Sequence, residues 1–450
     1  MPPTPASPTP AEPDYTDFFA LLDKHENSHV LRSGIDYHQE KLWYGMEIDG
    51  KLHFLTSGNA ILEAKSLPTG ITAPSKVSLP SPLSNEGIKR YLLKRRVDGR
   101  RLIAQLEHFF RSHAKFQFDT TPNVLAHWAL GTYLYMAFPI YGYIWLTSHK
   151  GQSGKSRVLE LISAVSFRCP GITMSVTPAT VFRSVDQEGY TLVVDEFEKA
   201  RDDAKAALIE IFNAGFNISA KVPRCNNNDS YKVEWFRAYC PKVFAGLSDV
   251  PDTLATRSMQ LRMFPKSAKD RVQEFSLLTS MADCQPLRDD MAIWALDYAR
   301  ACAALVKHLG VPAFLDDRAK DFMTPLYTIS QVANTDRTQL DQFSEQIGRV
   351  RRGEADESPA TIVLTVLRDW FPKDGSTSAR IHCDRLGALL TAAGHYTDEK
   401  TAGRWLRSFE FEVRQIRIPG YGNKKGAEIS RVKLAEWMER YNVPATPEPG

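Results

Sequence analysis

Apolar and polar residues follow different rhythms in successive stretches of the 450-residue chain. Runs at 41–48 and 51–55 flank Asp49-Gly50, which predicts a β-hairpin within a β-rich region. Pro68, Pro74, Pro80 and Pro82 then mark a linker. From Ser84 to His113 the spacing turns helical, through Ile88, Tyr91 and Leu92, then Leu102, Ile103, Leu106, Phe109 and Phe110. The polar face of that stretch carries Lys89, Arg90, Lys94, Arg95, Arg96, Arg100 and Arg101. Such a face is either simply solvated or meets nucleic acid or another subunit. Between about 115 and 270, short apolar runs at 139–146, 171–176, 191–194 and 241–247 alternate with helical segments. Those segments start after Lys155 and cover 177–187 and 200–213. The alternation predicts an α/β fold with a parallel sheet. The chain is helical from 269 to 347 and polar at 348–359. Beyond 360 come three helical segments, 361–371, 379–393 and 398–408. A ribbon of 411–418 and 427–432 with a basic, glycine-rich tip at 419–426 follows, then a last helix at 433–441. This is winged-helix order, suited to a helix in the major groove and a wing on phosphates, or to protein contacts.

The strongest chemical signal is Ser148-His149-Lys150-Gly151-Gln152-Ser153-Gly154-Lys155-Ser156. It lies between an apolar run and a helix-like run, the strand–turn–helix context of a phosphate-binding loop. Backbone N–H groups of Lys150, Gly151, Gln152, Ser153 and Gly154, with the positive end of the helix, suit an anion. Lys155 is expected on the β- and γ-phosphates of ATP and the Ser156 hydroxyl on Mg²⁺. About 40 residues on, Thr191-Leu192-Val193-Val194 ends in Asp195-Glu196, two carboxylates at the carboxyl end of a strand. Asp195 is expected to complete the Mg²⁺ shell and Glu196 to act as general base on the attacking water.

A helix stopped at Gly215 leads into a second predicted hairpin, carrying Lys221, Arg224 and Lys232. A basic hairpin can track the phosphates of a single strand, although it is also an ordinary edge hairpin. Ser248, at the end of the fourth strand, can reach the γ-phosphate. Arg257, before the next strand, sits where an arginine can be presented to a neighbouring subunit's nucleotide, or can form a surface salt bridge. In the C-terminal unit, Lys424, Lys425 and Arg431 are the candidate duplex contacts.

Composition narrows the class. Hydrophobic residues make up 43% and charged residues 24%, which fits a soluble globular protein of several domains. No apolar run reaches the ~18 residues of a membrane span. Six cysteines without a C-x-x-C pair argue against a disulfide framework or zinc and point to the cytoplasm. A net charge of +3 gives little evidence of nucleic-acid binding, so such binding must rest on local patches.

The order of phosphate loop, Val-Val-Asp-Glu, Asn-Ala-Gly-Phe, basic hairpin and Pro251-Asp252-Thr253-Leu254-Ala255-Thr256-Arg257-Ser258 resembles helicase-like ATPases of phages, plasmids and integrated elements. These are often joined to primase domains. Leu315-Asp316-Asp317-Arg318-Ala319 also matches, and the resemblance implies that Arg318 senses nucleotide. More distantly the layout is similar to AAA+ helicases of superfamily 3 and the minichromosome-maintenance type. The resemblance implies a ring-forming, hexamer-like ATPase that binds ATP and Mg²⁺, works on single- and double-stranded DNA, and partners a primase or replication initiator. The pattern along the chain, with this resemblance over roughly 120–445, gives the expected divisions: a disordered proline-rich leader (1–14), a β-rich domain (15–82), a basic helical segment (83–118), an AAA+ P-loop core (119–268), a helical lid (269–347), a linker (348–359) and a winged-helix-like DNA-binding domain (360–445). A replicative or replication-initiation helicase is the leading reading. A non-unwinding switch or loader in replication, regulation or defence is the alternative, and a DNA-binding regulator with a structural nucleotide site a third.

Overall fold

The computed structural model describes residues 28–73, 81–148, 154–173, 176–197, 202–226, 232–246, 252–263, 271–351, 359–393, 395, 397–440 and 443. The predicted leader, Lys150 to Ser153 of the phosphate loop, and Ser248 lie outside these residues. The chain forms two compact units, Met1–Phe343 and Ser344–Gly450.

The first unit begins with strands β1 (His29–Val30), β2 (Ile35–His38), β3 (Lys41–Ile48), β4 (Lys51–Thr56), β5 (Ala60–Glu63) and β6 (Ile71–Thr72). β2 to β5 form an antiparallel meander, and β1 pairs with β6 in parallel. Asp49 and Gly50 both adopt positive φ, as the tight β3–β4 turn requires. Leu31, Trp43, Leu52, Phe54 and Ile71 close a small core of their own. This sheet docks tightly: a Cβ on Gly34 would lie 1.7 Å from the Glu188 carbonyl oxygen.

Helices α1 (Asn85–Leu92) and α2 (Gly99–His113) follow. The sequence reads them as one helical stretch, but Lys94 turns to positive φ and Asp98 caps a new helix by accepting from the Arg101 N–H. Helix α3 (Thr121–Gly131) is buried on every face, which explains its unbroken apolar sequence.

The mixed α/β core then runs β7 (Tyr143–Thr147), α4 (Lys155–Val165), β8 (Ile172–Thr173), α5 (Pro178–Gln187), β9 (Leu192–Val194), α6 (Asp202–Ala214), β10 (Lys221–Asn226), β11 (Lys232–Arg237), β12 (Lys242–Gly246), α7 (Asp252–Ala255) and β13 (Ser258–Arg262). Its five-stranded sheet has the order β13-β7-β12-β9-β8, with every pair parallel. This is consistent with a P-loop-like core. Strand β12 is buried along its whole length, as a central parallel strand should be. Helices α8 (Leu277–Ser280), α9 (Gln285–Leu305), α10 (Asp317–Val332) and α11 (Thr338–Arg351) complete the run, so helix continues into the predicted linker at 348–359. Among the described residues no helix is long and apolar enough to cross a membrane.

The second unit holds α12 (Pro359–Trp370), β14 (Ser378–His382), α13 (Cys383–Ala392), α14 (Glu399–Ser408), β15 (Arg414–Ile418), β16 (Gly422–Ser430) and α15 (Arg431–Arg440). Two expectations change. The segment 379–393 is a strand followed by a helix, because the second half of the nine-residue β16 needs a partner and takes Ser378–His382. The glycine-rich stretch is not all tip: Lys424 and Lys425 lie within β16, opposite Ile416 and Gln415, and the turn is confined to 419–421. Gly426 is the pivot between the two pairings, where a Cβ would meet the Ile381 carbonyl oxygen at 2.3 Å.

One buried histidine makes the first unit sensitive to acid. His127 on α3 is fully buried; its Nδ1 lies 2.8 Å from the Asn123 carbonyl and its Nε2 3.2 Å from the Thr335 hydroxyl. Nδ1 therefore carries the hydrogen of a neutral ring. Burial pushes its pKa from 6.5 down to about 4, opposed by the Asn123 carbonyl and Glu107. The unfolded chain takes up a proton below 6.5 while the folded one does not until about 4. Stability is thus full above 6.5 and falls as pH drops through that window, by up to ~3 kcal/mol. His127→Gln should flatten the fall. Urea unfolding of both proteins at pH 7 and 4.5 checks this, and an equal pH dependence would refute it.

Candidate active site

Three parallel neighbours, β7, β12 and β9, bring the sequence-predicted residues to one edge of the sheet. Ser148 follows β7, and Gly154, with a φ of 87°, opens α4. The first turn of α4 has no side-chain cap and no acidic residue, so its N–H groups remain a site for an anion. Lys155 folds back, its Nζ donating to the Ser148 hydroxyl at the carboxyl end of β7. Ser156 is exposed on the same turn.

Asp195 follows β9 at the same edge, separated from β7 by β12 alone, or roughly 10 Å by strand spacing. The Asp195 N–H donates to the Thr173 carbonyl at 3.0 Å, which anchors the strand end to β8. The Glu196 N–H donates to Asp195 Oδ1 at 2.8 Å, and Glu196 holds a φ of 52°. Left-handed backbone costs a glutamate about 1–2 kcal/mol. The distortion turns this side chain away from the strand's regular alternation.

A cavity of about 440 Å³ opens beside Gly154. His113, Lys115, Arg157, Met263 and Phe275 line it. Phe275 meets the His113 ring edge-to-face at 5.5 Å, and His113 Nδ1 lies 2.8 Å from the Phe109 carbonyl, which leaves Nε2 as the acceptor of the neutral ring. A hydrogen bond of 2.8 Å from the Gln273 N–H to the Ser112 carbonyl joins the two cavity walls. None of these residues stands out in the sequence. Arg157 lies on the phosphate-loop helix itself and Met263 follows β13, whereas His113, Lys115 and Phe275 come from segments before and after the core, and only the fold brings them to that helix.

The two sequence-predicted arginines lie elsewhere. The Arg257 carbonyl accepts from the Tyr143 N–H at 3.1 Å, at the start of β7. Since β7 and β13 are parallel, Arg257 sits at the amino edge of the sheet, roughly 13 Å of strand from the phosphate loop. Arg318, at the start of α10, is at the same edge. Both guanidinium carbons are 5.8 Å from the centre of the buried Phe216 ring. Burial and then the positive charge of Arg318 pull the Arg257 pKa below its ordinary value. Arg257 Nη1 donates to the Thr253 carbonyl, and its buried Nε has no hydrogen-bond partner. Arg318 Nη1 also lies 3.4 Å from Asp321 Oδ2, so a carboxylate of the same helix stands beside the two cations.

The β10–β11 hairpin springs from this amino edge. Arg224 lies over Phe182 of α5 at 5.4 Å, on the hairpin face that packs against the core, while Lys221 is exposed on the other. Lys232 begins β11. Lys242, the first residue of β12, is fully buried beneath the hairpin. Its Nζ donates to the carbonyls of Ala238 (2.9 Å), Cys240 (3.1 Å) and Gly215 (3.3 Å), and lies 4.8 Å over the Tyr143 ring.

In the second unit the exposed residues of α14 include Lys400, Arg404 and Arg407, spaced along one helical face. Lys424 Nζ lies 2.6 Å from Asp384 Oδ2, so it is already paired, while Lys425 lines a cavity with Lys400 and Arg407. Arg431 donates to the Ser376 and Pro372 carbonyls, both at 2.8 Å, and stacks over Phe371 at 4.8 Å. Those bonds fix the start of α15 and hold the exposed side chain on carbonyls of its own unit.

No protein-family model and no curated protein matches the chain. Among solved structures it is similar to the apo NrS-1 C terminal region, at 12% identity over 86% of this chain and 95% of that one, with a TM-score of 0.30. A ligand-bound JCV helicase shares 16% identity over 54% and 61% of the two chains, with a TM-score of 0.24. Drosophila ORC bound to DNA shares 12% over 83% and 97%, with a TM-score of 0.19. Likeness at this level carries no residue correspondence, and the reading of the site rests on its own geometry.

Lys242 yields a test of that geometry. Lys242→Met fits the volume but leaves the carbonyls of Gly215, Ala238 and Cys240 without their donor. At a cost of roughly 1–3 kcal/mol per stranded group, offset by the relief of a buried charge, the loss should be about 3 kcal/mol. Urea unfolding measures it, and amide exchange should accelerate in residues 215–226 and 232–240. A variant as stable as the parent would show that the ammonium does not hold the hairpin base.

Proposed function

We propose that the protein is a ring-forming, DNA-dependent ATP hydrolase of the AAA+ type, acting as a replicative or replication-initiation helicase of a phage or mobile element. The observation that carries this reading is the division of labour between the two edges of one parallel sheet. Lys155, Ser156, Asp195 and Glu196 gather at the carboxyl edge. Arg257 and Arg318 pair on Phe216 at the amino edge, where they cannot reach their own phosphate loop. Such a molecule completes its site by stacking the amino edge of one copy on the carboxyl edge of the next.

The residues present fit ATP and Mg²⁺. The uncapped α4 terminus and Lys155 would hold the phosphates, with Lys150 to Ser153 completing the loop. The cavity between His113, Phe275 and Gly154 is large enough for the nucleoside. Ser156 and Asp195 would hold Mg²⁺, which when bound neutralises charge on the phosphate oxygens. Glu196 would accept the proton of the attacking water, and Ser248 would orient it. Arg257 and Arg318 from the neighbouring copy would stabilise the charge that develops on the transferred phosphoryl group.

For DNA, the helix–strand–helix–helix–strand–strand–helix order of the second unit supports a winged helix. Lys400, Arg404 and Arg407 would face the duplex from α14, and Lys424 and Lys425 would reach phosphates from the wing. Of the hairpin basic residues, Lys221 would serve a single strand from the exposed face, whereas Arg224 packs over Phe182 on the face toward the core and Lys232 shares its register face. The proposed divisions follow from this reading: a β-rich N-terminal domain, a basic helical segment, the ATPase core, a helical lid and the DNA-binding unit.

Lys155→Ala should abolish hydrolysis. Glu196→Gln should bind ATP but hydrolyse it at least about 10²-fold more slowly. Phosphate release and nucleotide binding check both, and wild-type turnover in Glu196→Gln would place the base elsewhere. Mixing inactive Arg257→Ala with inactive Lys155→Ala should restore partial hydrolysis, because some interfaces then pair an intact loop with an intact arginine. Absence of rescue in confirmed mixed assemblies would refute action across the interface. Strand displacement on forked DNA separates the helicase from a non-unwinding switch or loader, which would turn over without unwinding.

A further inference from the structure

The β10–β11 hairpin has two faces of different character. One packs on the core: Val222 is buried, and Phe236 meets Phe182 of α5 with ring centres 4.6 Å apart. The other is exposed at Lys221, Pro223, Cys225, Val233 and Trp235, while Arg237 at its base is half-buried and paired with Asp186 of α5. It carries Lys221, Pro223 and Cys225 on β10, opposite Arg237, Trp235 and Val233 on β11. Trp235 is 62% exposed and Val233 49%. The regular period of two leaves the indole no inward position, so its exposure follows from the register itself.

An exposed tryptophan on a ribbon with open edges is a liability unless something covers it. The size of the face argues what that is. A stable protein interface needs some 20–30 residues a side, whereas this face offers five or six side chains, enough for one or two nucleotides. Its charge agrees. Lys221 lies two same-face steps from Cys225 and beside the Pro223–Trp235 pair, with Arg237 directly opposite. The carboxylate of the described strands, Glu234, belongs to the other face, opposite Arg224. Arg237 is engaged by Asp186, which leaves Lys221 as the cation beside the Trp235 ring. An aromatic ring beside a cation is the combination that holds a single strand of nucleic acid: the base stacks and the phosphate pairs.

We propose that the outward face of the β10–β11 hairpin is a base-stacking platform for a single strand of nucleic acid, with Trp235 as the anchor and Lys221 as the adjoining phosphate contact. This rests on the reading of the chain as an ATPase that acts on DNA, and it adds an anchor that does not depend on charge. Stacking is insensitive to salt, whereas a phosphate contact releases counterions. The two residues therefore leave different signatures.

The test uses the full chain and labelled oligothymidylate, titrated over a range of salt, with oligouridylate in parallel to separate DNA from RNA as the source. Trp235→Ala should weaken binding by about 5- to 150-fold at every salt concentration, the loss of one stacked base, with the salt slope unchanged. Trp235→Phe should retain most of the affinity. Lys221→Ala should shallow the slope by about 0.7. Unchanged melting temperatures establish that the variants fold. If the parent binds single strands and Trp235→Ala binds them equally well, the platform is wrong and the DNA reading stands. If the parent binds no single strand at all, the DNA reading fails and the platform with it. A change in sedimentation without a change in binding would assign the face to a second copy and overturn the proposal.

Discussion

A single ammonium group holds together the parts of the core that matter most. Lys242 opens the central strand β12, and its Nζ gathers the carbonyl of Gly215 before the hairpin with those of Ala238 and Cys240 after it. The two ends of a 23-residue excursion are thus fixed to the same atom. Its pKa is drawn below the ordinary lysine value by burial, so the charge is costly, and the ring of connected carbonyls is what makes it tolerable. The packing is equally tight. A Cβ on Gly215 would lie 2.2 Å from the Ala238 carbonyl oxygen and 2.6 Å from Nζ itself. Next to Gly215 stands Phe216, whose carbonyl accepts from the Tyr141 N–H and whose ring carries Arg257 and Arg318. Hairpin, arginine pair and sheet therefore share one anchor.

The parallel sheet imposes the second constraint. Every strand points the same way, so loops that follow strands collect at one edge and loops that precede them at the other. Lys155, Asp195 and Glu196 all follow strands. Arg257 precedes β13, and Phe322 of α10 packs on Gly142, just before β7, which places Arg318 there too. No rotamer bridges that separation. On the proposed reading, candidate phosphate ligands at one edge and two arginines at the other would bring copies together head to tail, since the two surfaces are not the same.

Much of this was legible in the sequence, and the parts that were not share a cause. The strand–turn–helix order around Lys155 and the strand before Asp195 are local patterns, set by residues within about ten positions, and the core strands fall close to their predicted places. The cavity wall was not legible, because His113, Lys115 and Phe275 come from segments separated by the entire parallel-sheet core. Strand β14 was missed because 379–393 reads as one helical segment; Ser378–His382 becomes strand only when the long arm of β16 is there to pair with it. The same pairing moved Lys424 and Lys425 from a turn into a strand. Lys221 and Arg224 looked equivalent as basic hairpin residues, yet three positions of separation put them on opposite faces. Period-two geometry decides that, and it can be applied only once the register is known.

Strand β12 joins these constraints into one mechanical element. It begins at Lys242, in the hairpin base at the amino edge, and ends at Gly246, level with Thr147 of β7 at the phosphate edge. All five of its residues are buried, and it pairs on both sides, with β7 and β9. A strand so enclosed does not bend independently, because close-packed interiors transmit displacement rather than absorb it. Its buried backbone therefore links Gly246 at one edge to Lys242 at the other. There the Lys242 ammonium meets the three carbonyls at the hairpin base. The hairpin is held by few other contacts of comparable stiffness: the Arg237–Asp186 pair at 3.0 Å and the Phe182–Phe236 contact both lie on α5, whose far end leads directly into β9. Both supports of the hairpin are therefore continuous with strands that end at the nucleotide edge. The fold thus offers two short, rigid paths between the place where phosphate would be cleaved and the surface where a strand would be held.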